Sequence, residues 1–270
     1  MTAEQTSTEP SVRYDVTDGV GTIMLNRPQA MNGLDVATKE ALLAALREVA
    51  EDPAVRCVVL TGTGRAFCVG QDLKEHVQLL QSGSTDQLFR TVDEHYNPIV
   101  TTIVGMRKPV VAAVNGVAAG AGASLAFACD LRIVADTAGF NLAFANIALS
   151  CDTGSSFTLP RLVGRAKAIE LLYFPRTVPA DEALGLGLAT QVVPAGELTE
   201  AVTDLATRLA AGPTVALGAM RQSLTFAMDH TFVEAVEFES AQMTMTGQTA
   251  DHAAAVEAFL AKEKPTFQGR

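Results

Sequence analysis

Two glycine-rich segments follow short apolar runs, and backbone amides in such segments can bind an oxygen that carries negative charge. TGTGRAFCVGQDL spans 61–73, and NGVAAGAGASLAFACD spans 115–130. The small residues of the second segment let a ligand approach the N–H groups that begin a helix, where the dipole is positive. Two amides aimed at one carbonyl oxygen would form an oxyanion hole, which stabilises an enolate. The alternative is that the small residues only permit close helix packing.

The first segment does not match the loops that bind nucleotide phosphates. It lacks the pattern G-x-x-x-x-G-K-[ST], and Gly62, Gly64 and Gly70 do not fit G-x-G-x-x-G. The alternative is a tight turn in which Asp72 caps a following helix.

One carboxylate, Asp152 in ALSCDTGSSF (148–157), is a candidate acid or base. Its neighbours are mostly apolar or small, so we expect burial to raise its pKa and favour the protonated form. The alternative is that Asp152 caps a helix through SSFTLPRLV, and both roles could hold.

The other reactive side chains form no recognisable site. We predict no metal, because the histidines lie far apart without ligand spacing: His76, His95, His230 and His252. We expect buried free thiols and a reducing compartment, because no paired short spacing joins the cysteines: Cys57, Cys68, Cys129 and Cys151.

The elements that would position these residues are read from hydrophobic patterning. Four β-branched runs predict buried strands, at 19–26, 55–62, 108–116 and 130–136. A helix is expected after Asp35, which would cap it, and the chain after Pro194 predicts helices only. We therefore predict an α/β fold with a flexible tail (1–11), a core domain (12–195) and a C-terminal helical oligomerisation region (196–270).

Composition limits the partners. The 270 residues are 48% hydrophobic and carry a net charge of −10, which disfavours binding to nucleic acid or to an anionic membrane. The N-terminus is polar, and no run reaches the roughly 18 apolar residues of a membrane span. We expect a soluble, cytoplasmic protein.

Taken together, four motifs resemble the crotonase (enoyl-CoA hydratase/isomerase) superfamily. They are NRP (26–28), GRAFCVGQDL (64–73), KPVVAAVNGVAAGAGASLAFACD (108–130) and SCDTGSSFTLPRLVG (150–164). The resemblance implies a spiral of strand-strand-helix turns and a homotrimer or homohexamer assembled through the C-terminal helices. It also implies an acyl-CoA substrate, with no cofactor beyond the CoA that carries the acyl group.

The resemblance also implies site residues. The oxyanion-hole amides would be those of Val69 and Ala121, beside Gly70 and Gly120. Arg27 lies where the NRP turn of the family meets CoA, and Phe259 or Lys262 could complete the site from a neighbouring subunit. The backbone of a further set would line the CoA path: Ala66, Phe67, Cys68, Gln71, Asp72 and Leu73.

Two departures from the family pattern bear on the reaction. Hydratases of the family use two glutamates, but Ser124 and Phe144 occupy those positions here, and neither is a suitable acid or base near neutral pH. We expect Ser124 to contribute a small side chain to the acyl pocket instead. Simple hydration is therefore disfavoured.

Asp152 occupies a position that carries the acid in several members without the glutamate pair. One carboxylate suffices to isomerise a 3-enoyl-CoA. Within the superfamily the chain resembles the 1,2-epoxyphenylacetyl-CoA isomerase branch, which implies a ring epoxide as substrate and phenylacetate or fatty acid metabolism as context. The alternatives are a hydratase, a dehalogenase of the 4-chlorobenzoyl-CoA type and an inactive acyl-CoA-binding subunit. The dehalogenases carry a tryptophan beside the ring, and this chain has none.

Overall fold

Ten strands and twelve α-helices form within the residues that the structure describes. The computed structural model describes residues 9–83 and 85–270, so most of the predicted tail (1–11) lies outside the described residues. The strands are β1 (Val12–Thr17), β2 (Val20–Leu25), β3 (Cys57–Gly62), β4 (Ala66–Cys68), β5 (Val110–Val114), β6 (Val117–Ala119), β7 (Leu131–Ala135), β8 (Gly139–Asn141), β9 (Thr177–Pro179) and β10 (Gln191–Val193).

The helices lie between and after these strands. They are α1 (Val36–Glu51), α2 (Leu73–Gln81), α3 (Thr85–Thr91), α4 (Asn97–Gly105), α5 (Ala121–Ala128), α6 (Ser155–Val163), α7 (Arg165–Tyr173), α8 (Ala180–Gly185), α9 (Leu198–Ala210), α10 (Thr214–Phe226), α11 (Phe232–Gly247) and α12 (Ala250–Ala261). One π-helical turn, Val92–Tyr96, joins α3 to α4.

Two sheets run side by side, and the chain alternates between them. The larger sheet has the order β1-β2-β3-β5-β7-β10, and the smaller has the order β4-β6-β8-β9. Pairing is parallel except between β1 and β2 and between β8 and β9. Each of three consecutive strand pairs therefore has one strand in each sheet, and helices then return the chain to the larger sheet. The pairs are β3 and β4, β5 and β6, and β7 and β8. This confirms the predicted α/β spiral of strand-strand-helix turns.

The four predicted strands are confirmed, and all belong to the larger sheet. Strand β5 is buried at every position and β3 and β7 at all but one, as expected for parallel strands covered on both faces. The three-residue strands of the smaller sheet were not predicted, because they are too short to show a period in the sequence.

The predicted helices after Pro194 are also present. Helix α9 packs on β3, β5 and β7 of the larger sheet, whereas α10 packs on α11. Helices α11 and α12 leave large apolar side chains in solvent; Phe232 and Phe259 are each 81% exposed. The domain boundaries and the oligomerising role of the C-terminal helices stay predictions.

Within residues 9–83 and 85–270, no helix is both long and apolar enough to span a membrane. The same part of the chain contains no group of three or more histidine, cysteine or acidic residues placed to hold a metal ion.

Candidate active site

A cavity of about 200 Å³ lies between β6, the helices α2, α3 and α5, and the segment that joins β8 to α6. Asp152 lies on its wall together with the proposed amide donors Val69 and Ala121. Apolar side chains form most of the remaining surface. The full lining is Val69, Gln71, Leu73, His76, Leu88, Phe89, Thr91, Val92, Tyr96, Ala119, Gly120, Ala121, Ala143, Phe144, Asn146, Ile147, Leu149 and Asp152.

Two glycines allow the segments that carry Val69 and Ala121 to touch. A Cβ at Gly70, which has φ +80°, would lie 3.1 Å from the backbone nitrogen of Ala121. A Cβ at Gly122 would lie 2.1 Å from the carbonyl oxygen of Cys68, a distance that real side chains never adopt. The absence of side chains at both positions therefore brings the end of β4 directly against the start of α5.

Gly120 makes the turn from β6 into α5. Its φ of +51° and ψ of −125° are accessible to glycine and strained for other residues, and a Cβ there would meet nothing within 4 Å. The next residue, Ala121, begins the helix, where backbone N–H groups have no intrahelical acceptor. The amide of Ala121 thus lies at the cavity wall at the positive end of a helix.

A strained turn presents Asp152 to the cavity. Thr153 and Gly154 have φ values of +52° and +79°, and such a value is an outlier for a β-branched residue. Thr153 is 1% exposed, and its hydroxyl donates to Oδ1 of Asp152 at 2.9 Å. The side chain of Asp152 does not cap α6, because the residue before that helix is Gly154 and no side chain caps it. The predicted capping role was therefore wrong.

The surroundings of Asp152 suit a group that exchanges protons. Burial raises the pKa of Asp152 above its ordinary value, against the smaller lowering effects of the Thr153 hydroxyl and the Lys39 ammonium. This agrees with the direction expected from the sequence. A carboxyl group with a raised pKa is more readily protonated near neutral pH and can serve as an acid as well as a base.

The two positions that depart from the hydratase pattern differ in their relation to the cavity. Phe144 lies on the wall and supplies an aromatic face. Ser124 is fully buried behind the wall, where its hydroxyl bonds to Ser155 at 2.5 Å and to the carbonyl oxygen of Gly120 at 3.1 Å. The structure therefore places Ser124 outside the lining of the cavity, in contrast to the expected contribution to the acyl pocket.

The predicted CoA-path residues divide into two groups. Gln71 and Leu73 line the cavity, whereas the strand residues Ala66, Phe67 and Cys68 are fully buried. The buried Cys68 thiol is no nucleophile near neutral pH, because burial raises its pKa to about 12.

Arg27 and Asp72 bind each other rather than facing the cavity. The guanidinium of Arg27 lies 2.9 Å from a carboxylate oxygen of Asp72 and 2.9 Å from one of Asp35. Asp72 also caps α2 by accepting from the amides of Lys74 and Glu75, as the alternative interpretation of the sequence predicted. Both ion pairs join the NRP turn to the starts of α1 and α2.

Phe259 and Lys262 lie at the end of α12. Phe259 is 81% exposed, and Lys262 adopts a left-handed conformation after the helix. Neither lines the cavity of this chain. Their contribution to a site on a neighbouring subunit stays a prediction.

Sequence reasoning missed a polar group behind the cavity, formed by Lys39, Gln71, Glu75 and Tyr96 and here called the polar cluster. Tyr96 lines the cavity, and Lys39 is 1% exposed although it is charged. The burial of Lys39 could have been predicted from its position. It falls three residues before Leu42 and seven before Leu46, on the apolar face of the predicted helix.

Comparison with known proteins decides the family. The enoyl-CoA hydratase/isomerase family model matches residues 15–270. The chain belongs to the enoyl-CoA hydratase/isomerase family. It is 38% identical to the 1,2-epoxyphenylacetyl-CoA isomerase of Escherichia coli (strain K12), over 94% of this chain and 97% of that protein. It is 37% identical to a Rhodobacter capsulatus protein assigned as an enoyl-CoA hydratase, over 96% and 98% of the two chains.

Solved structures of the enoyl-CoA hydratase/isomerase family agree. A Mycobacterium abscessus protein assigned to the family has a TM-score of 0.92 and 42% identity, over 96% of this chain and 100% of that one. The similar relatives thus include both an isomerase and an assigned hydratase. Resemblance gives the family, and the choice of reaction depends on the residues of the cavity.

Proposed function

We propose that the chain is an acyl-CoA isomerase in which Asp152 transfers the proton. The observation that carries this proposal is that Asp152 is the one aspartate or glutamate among the described residues lining the cavity. One such group suffices to isomerise a 3-enoyl-CoA. The carboxylate removes a proton from the carbon beside the thioester carbonyl, the electrons pass to the carbonyl oxygen as an enolate, and the same group returns the proton to the γ carbon.

The amides of Val69 and Ala121 are the proposed donors to the enolate oxygen. Their segments touch at Gly70 and Gly122, and Ala121 begins a helix. Donors fixed in place before the reaction stabilise the developing charge without reorganisation. The raised pKa of Asp152 supports the other half of the reaction, because burial favours the protonated form that returns the proton to the γ carbon.

A ring-epoxide thioester is the second substrate class that we propose. Phe89, Tyr96 and Phe144 supply aromatic surface to the cavity, which suits a ring attached to the acyl chain. The similarity to 1,2-epoxyphenylacetyl-CoA isomerase supports the same substrate and a place in phenylacetate breakdown. Here Asp152 would exchange a proton with the epoxide oxygen while the ring atoms rearrange without a change in mass.

The alternatives fit the cavity less well. Hydration needs a second group to activate water, but Phe144 cannot do so and Ser124 is enclosed behind the wall. Dehalogenation is disfavoured because dehalogenases of the 4-chlorobenzoyl-CoA type carry a tryptophan beside the ring, and this chain has none. An inactive acyl-CoA-binding subunit would bind the thioester without converting it, whereas the proposed isomerase would show turnover that depends on Asp152.

The test compares the wild type with Asp152→Asn, which keeps the size of the side chain but cannot hold the proton. We expect the wild type to convert 1,2-epoxyphenylacetyl-CoA or a 3-enoyl-CoA to a product of unchanged mass and altered absorbance. The variant should lose at least about 100-fold in rate, the usual contribution of a general acid or base. Addition of water to crotonyl-CoA at a comparable rate would refute the proposal. Binding without turnover of any of the three substrates would favour the inactive subunit.

Assembly and location complete the proposal. Exposed apolar side chains on α10 to α12 favour a homotrimer or a homohexamer, since isolated chains rarely leave so many in water. The free cysteines favour a reducing, cytoplasmic location. Sedimentation of the purified protein tests the assembly directly.

A further inference from the structure

The polar cluster gives one wall of an apolar cavity an oriented hydroxyl group. Tyr96 is 1% exposed, and its hydroxyl donates to Oε1 of Gln71 at 2.8 Å. Lys39 donates to the same Oε1 at 3.1 Å. The amide nitrogen of Gln71 donates to Glu75 at 3.0 Å. Both ends of the Gln71 amide are therefore used, and its oxygen faces Tyr96.

Lys39 is held firmly in this arrangement. Its ammonium also donates to the hydroxyl of Thr91 at 2.6 Å and lies 5.3 Å from the centre of the Tyr96 ring. An ammonium group only donates, so the oxygen of Gln71 must point toward it. The charge of Lys39 is partly balanced by Glu75, whose carboxylate lies 3.8 Å away.

Oε1 of Gln71 accepts hydrogen bonds from both Tyr96 and Lys39, so it stays hydrogen-bonded when one of them is withdrawn. If the Tyr96 hydroxyl rotates away, Oε1 of Gln71 keeps its bond from Lys39 and is not left unsatisfied. A hydroxyl hydrogen rotates freely to suit its partner. Tyr96 can therefore offer its hydrogen to a ligand without the large cost of leaving a buried acceptor unpaired.

We propose that Tyr96 is a substrate-binding residue that turns its hydroxyl hydrogen from Gln71 to an oxygen on the acyl group. It would thereby favour acyl groups that carry an acceptor oxygen, such as an epoxide or ether, over purely hydrocarbon ones. The inference rests on the proposed function in taking the cavity as the acyl pocket. Leu88, Phe89 and Ile147, which line the same cavity, offer no hydrogen bond, so an oxygen placed among them needs a specific partner.

The protonation of Tyr96 is consistent with this role. Burial raises the pKa of Tyr96 well above its ordinary value, and the carboxylate of Asp152 acts in the same direction. The hydroxyl therefore remains protonated, and able to donate, near neutral pH, where it does not compete with Asp152 as a base.

The test measures binding of two unreactive thioesters that differ in one atom. In 2-methoxyphenylacetyl-CoA an ether oxygen replaces a methylene of 2-ethylphenylacetyl-CoA, so size is matched and the oxygen can only accept. Calorimetric titration of the assembled protein gives the ratio of the two dissociation constants. Tyr96→Phe should weaken binding of the ether about fivefold relative to the ethyl compound, which is the typical effect of one neutral hydrogen bond.

Tyr173→Phe is the matched control, because it is the same substitution at a residue that is 69% exposed and outside the cavity. We expect it to leave the ratio unchanged. An unchanged ratio in Tyr96→Phe, or an equal loss of affinity for both thioesters, would overturn the inference. Failure of the proposed function alone has a different result. The ratio of dissociation constants would then still depend on Tyr96, but the wild type would isomerise none of the substrates. If neither thioester binds the wild type, the inference and the ring-epoxide substrate class are both refuted.

Discussion

Gly122 is the residue at which α5 touches β4, and one added methyl group there tests whether this contact holds the Ala121 amide in place. In Gly122→Ala the new Cβ would lie 2.1 Å from the carbonyl oxygen of Cys68 and 2.9 Å from its Cβ. An ordinary contact between carbon and oxygen is about 3.3 Å or longer. The start of α5 must therefore move from β4 by about 1 Å, and the Ala121 amide moves with it.

This displacement exceeds what a catalytic group tolerates. Productive geometry is held to within about 0.5 Å, and a misplacement of 1 Å costs about 100-fold in rate. We expect turnover of the isomerase substrate to fall by about 100-fold. Overpacking should also lower the free energy of unfolding by about 1–3 kcal/mol, which leaves a folded protein to be assayed.

The assay has three readouts and one matched control. Turnover and thermal unfolding are measured together with the infrared carbonyl stretch of a bound, unreactive thioester, since that frequency reports the hydrogen bonds to its oxygen. Gly105→Ala is the control, because an added methyl group at the end of α4 would meet nothing within 4 Å. A folded Gly122→Ala variant with wild-type turnover and carbonyl frequency would refute the assignment of Ala121 as a donor.

Two further substitutions test burial of polar groups. Burial raises the pKa of folded Asp152, so the wild type loses stability as the pH rises above the ordinary aspartate value of about 3.9. Asp152→Asn should therefore raise the unfolding temperature at pH 7, and this gain should shrink toward pH 4; a gain independent of pH would contradict the assignment. The buried hydroxyl of Tyr14 has no hydrogen-bond partner among the described residues, so Tyr14→Phe should increase the free energy of unfolding in urea by about 1 kcal/mol, and a clear loss of stability would contradict this.

The elements that could be predicted from the sequence are those with enough residues to show a pattern. Strands β3 and β5 are long apolar runs, and Asp35 and Asp72 precede their helices as typical caps. The strands β4 and β6 have three residues each; they pair with each other, and β6 also pairs with β8. Their register depends on contacts distant in sequence, which no local pattern contains.

The sequence predicted which segments form the candidate site, but not how these segments lie relative to one another. The motifs brought Val69, Ala121 and Asp152 to attention, and all three line one cavity. The expected cap at Asp152 failed because Thr153 and Gly154 take left-handed conformations, which move the carboxylate away from the start of α6. The preference of aspartate for helix caps favoured this role, but the backbone conformation of Thr153 and Gly154 prevents it.

Ser124 shows how the loss of one acidic residue can serve the rest of the site. It lies in α5, the helix that begins with the amide of Ala121, and it bonds to Ser155, the first residue of α6. Ser155 follows Asp152 by three residues, and its amide donates to the backbone oxygen of Asp152 at 3.0 Å. These contacts join the start of α5, which carries the proposed amide donor, to the backbone of the turn that carries Asp152. A glutamate at position 124 is longer than serine, so it could keep no such short contact with Ser155 unless α5 and α6 moved apart.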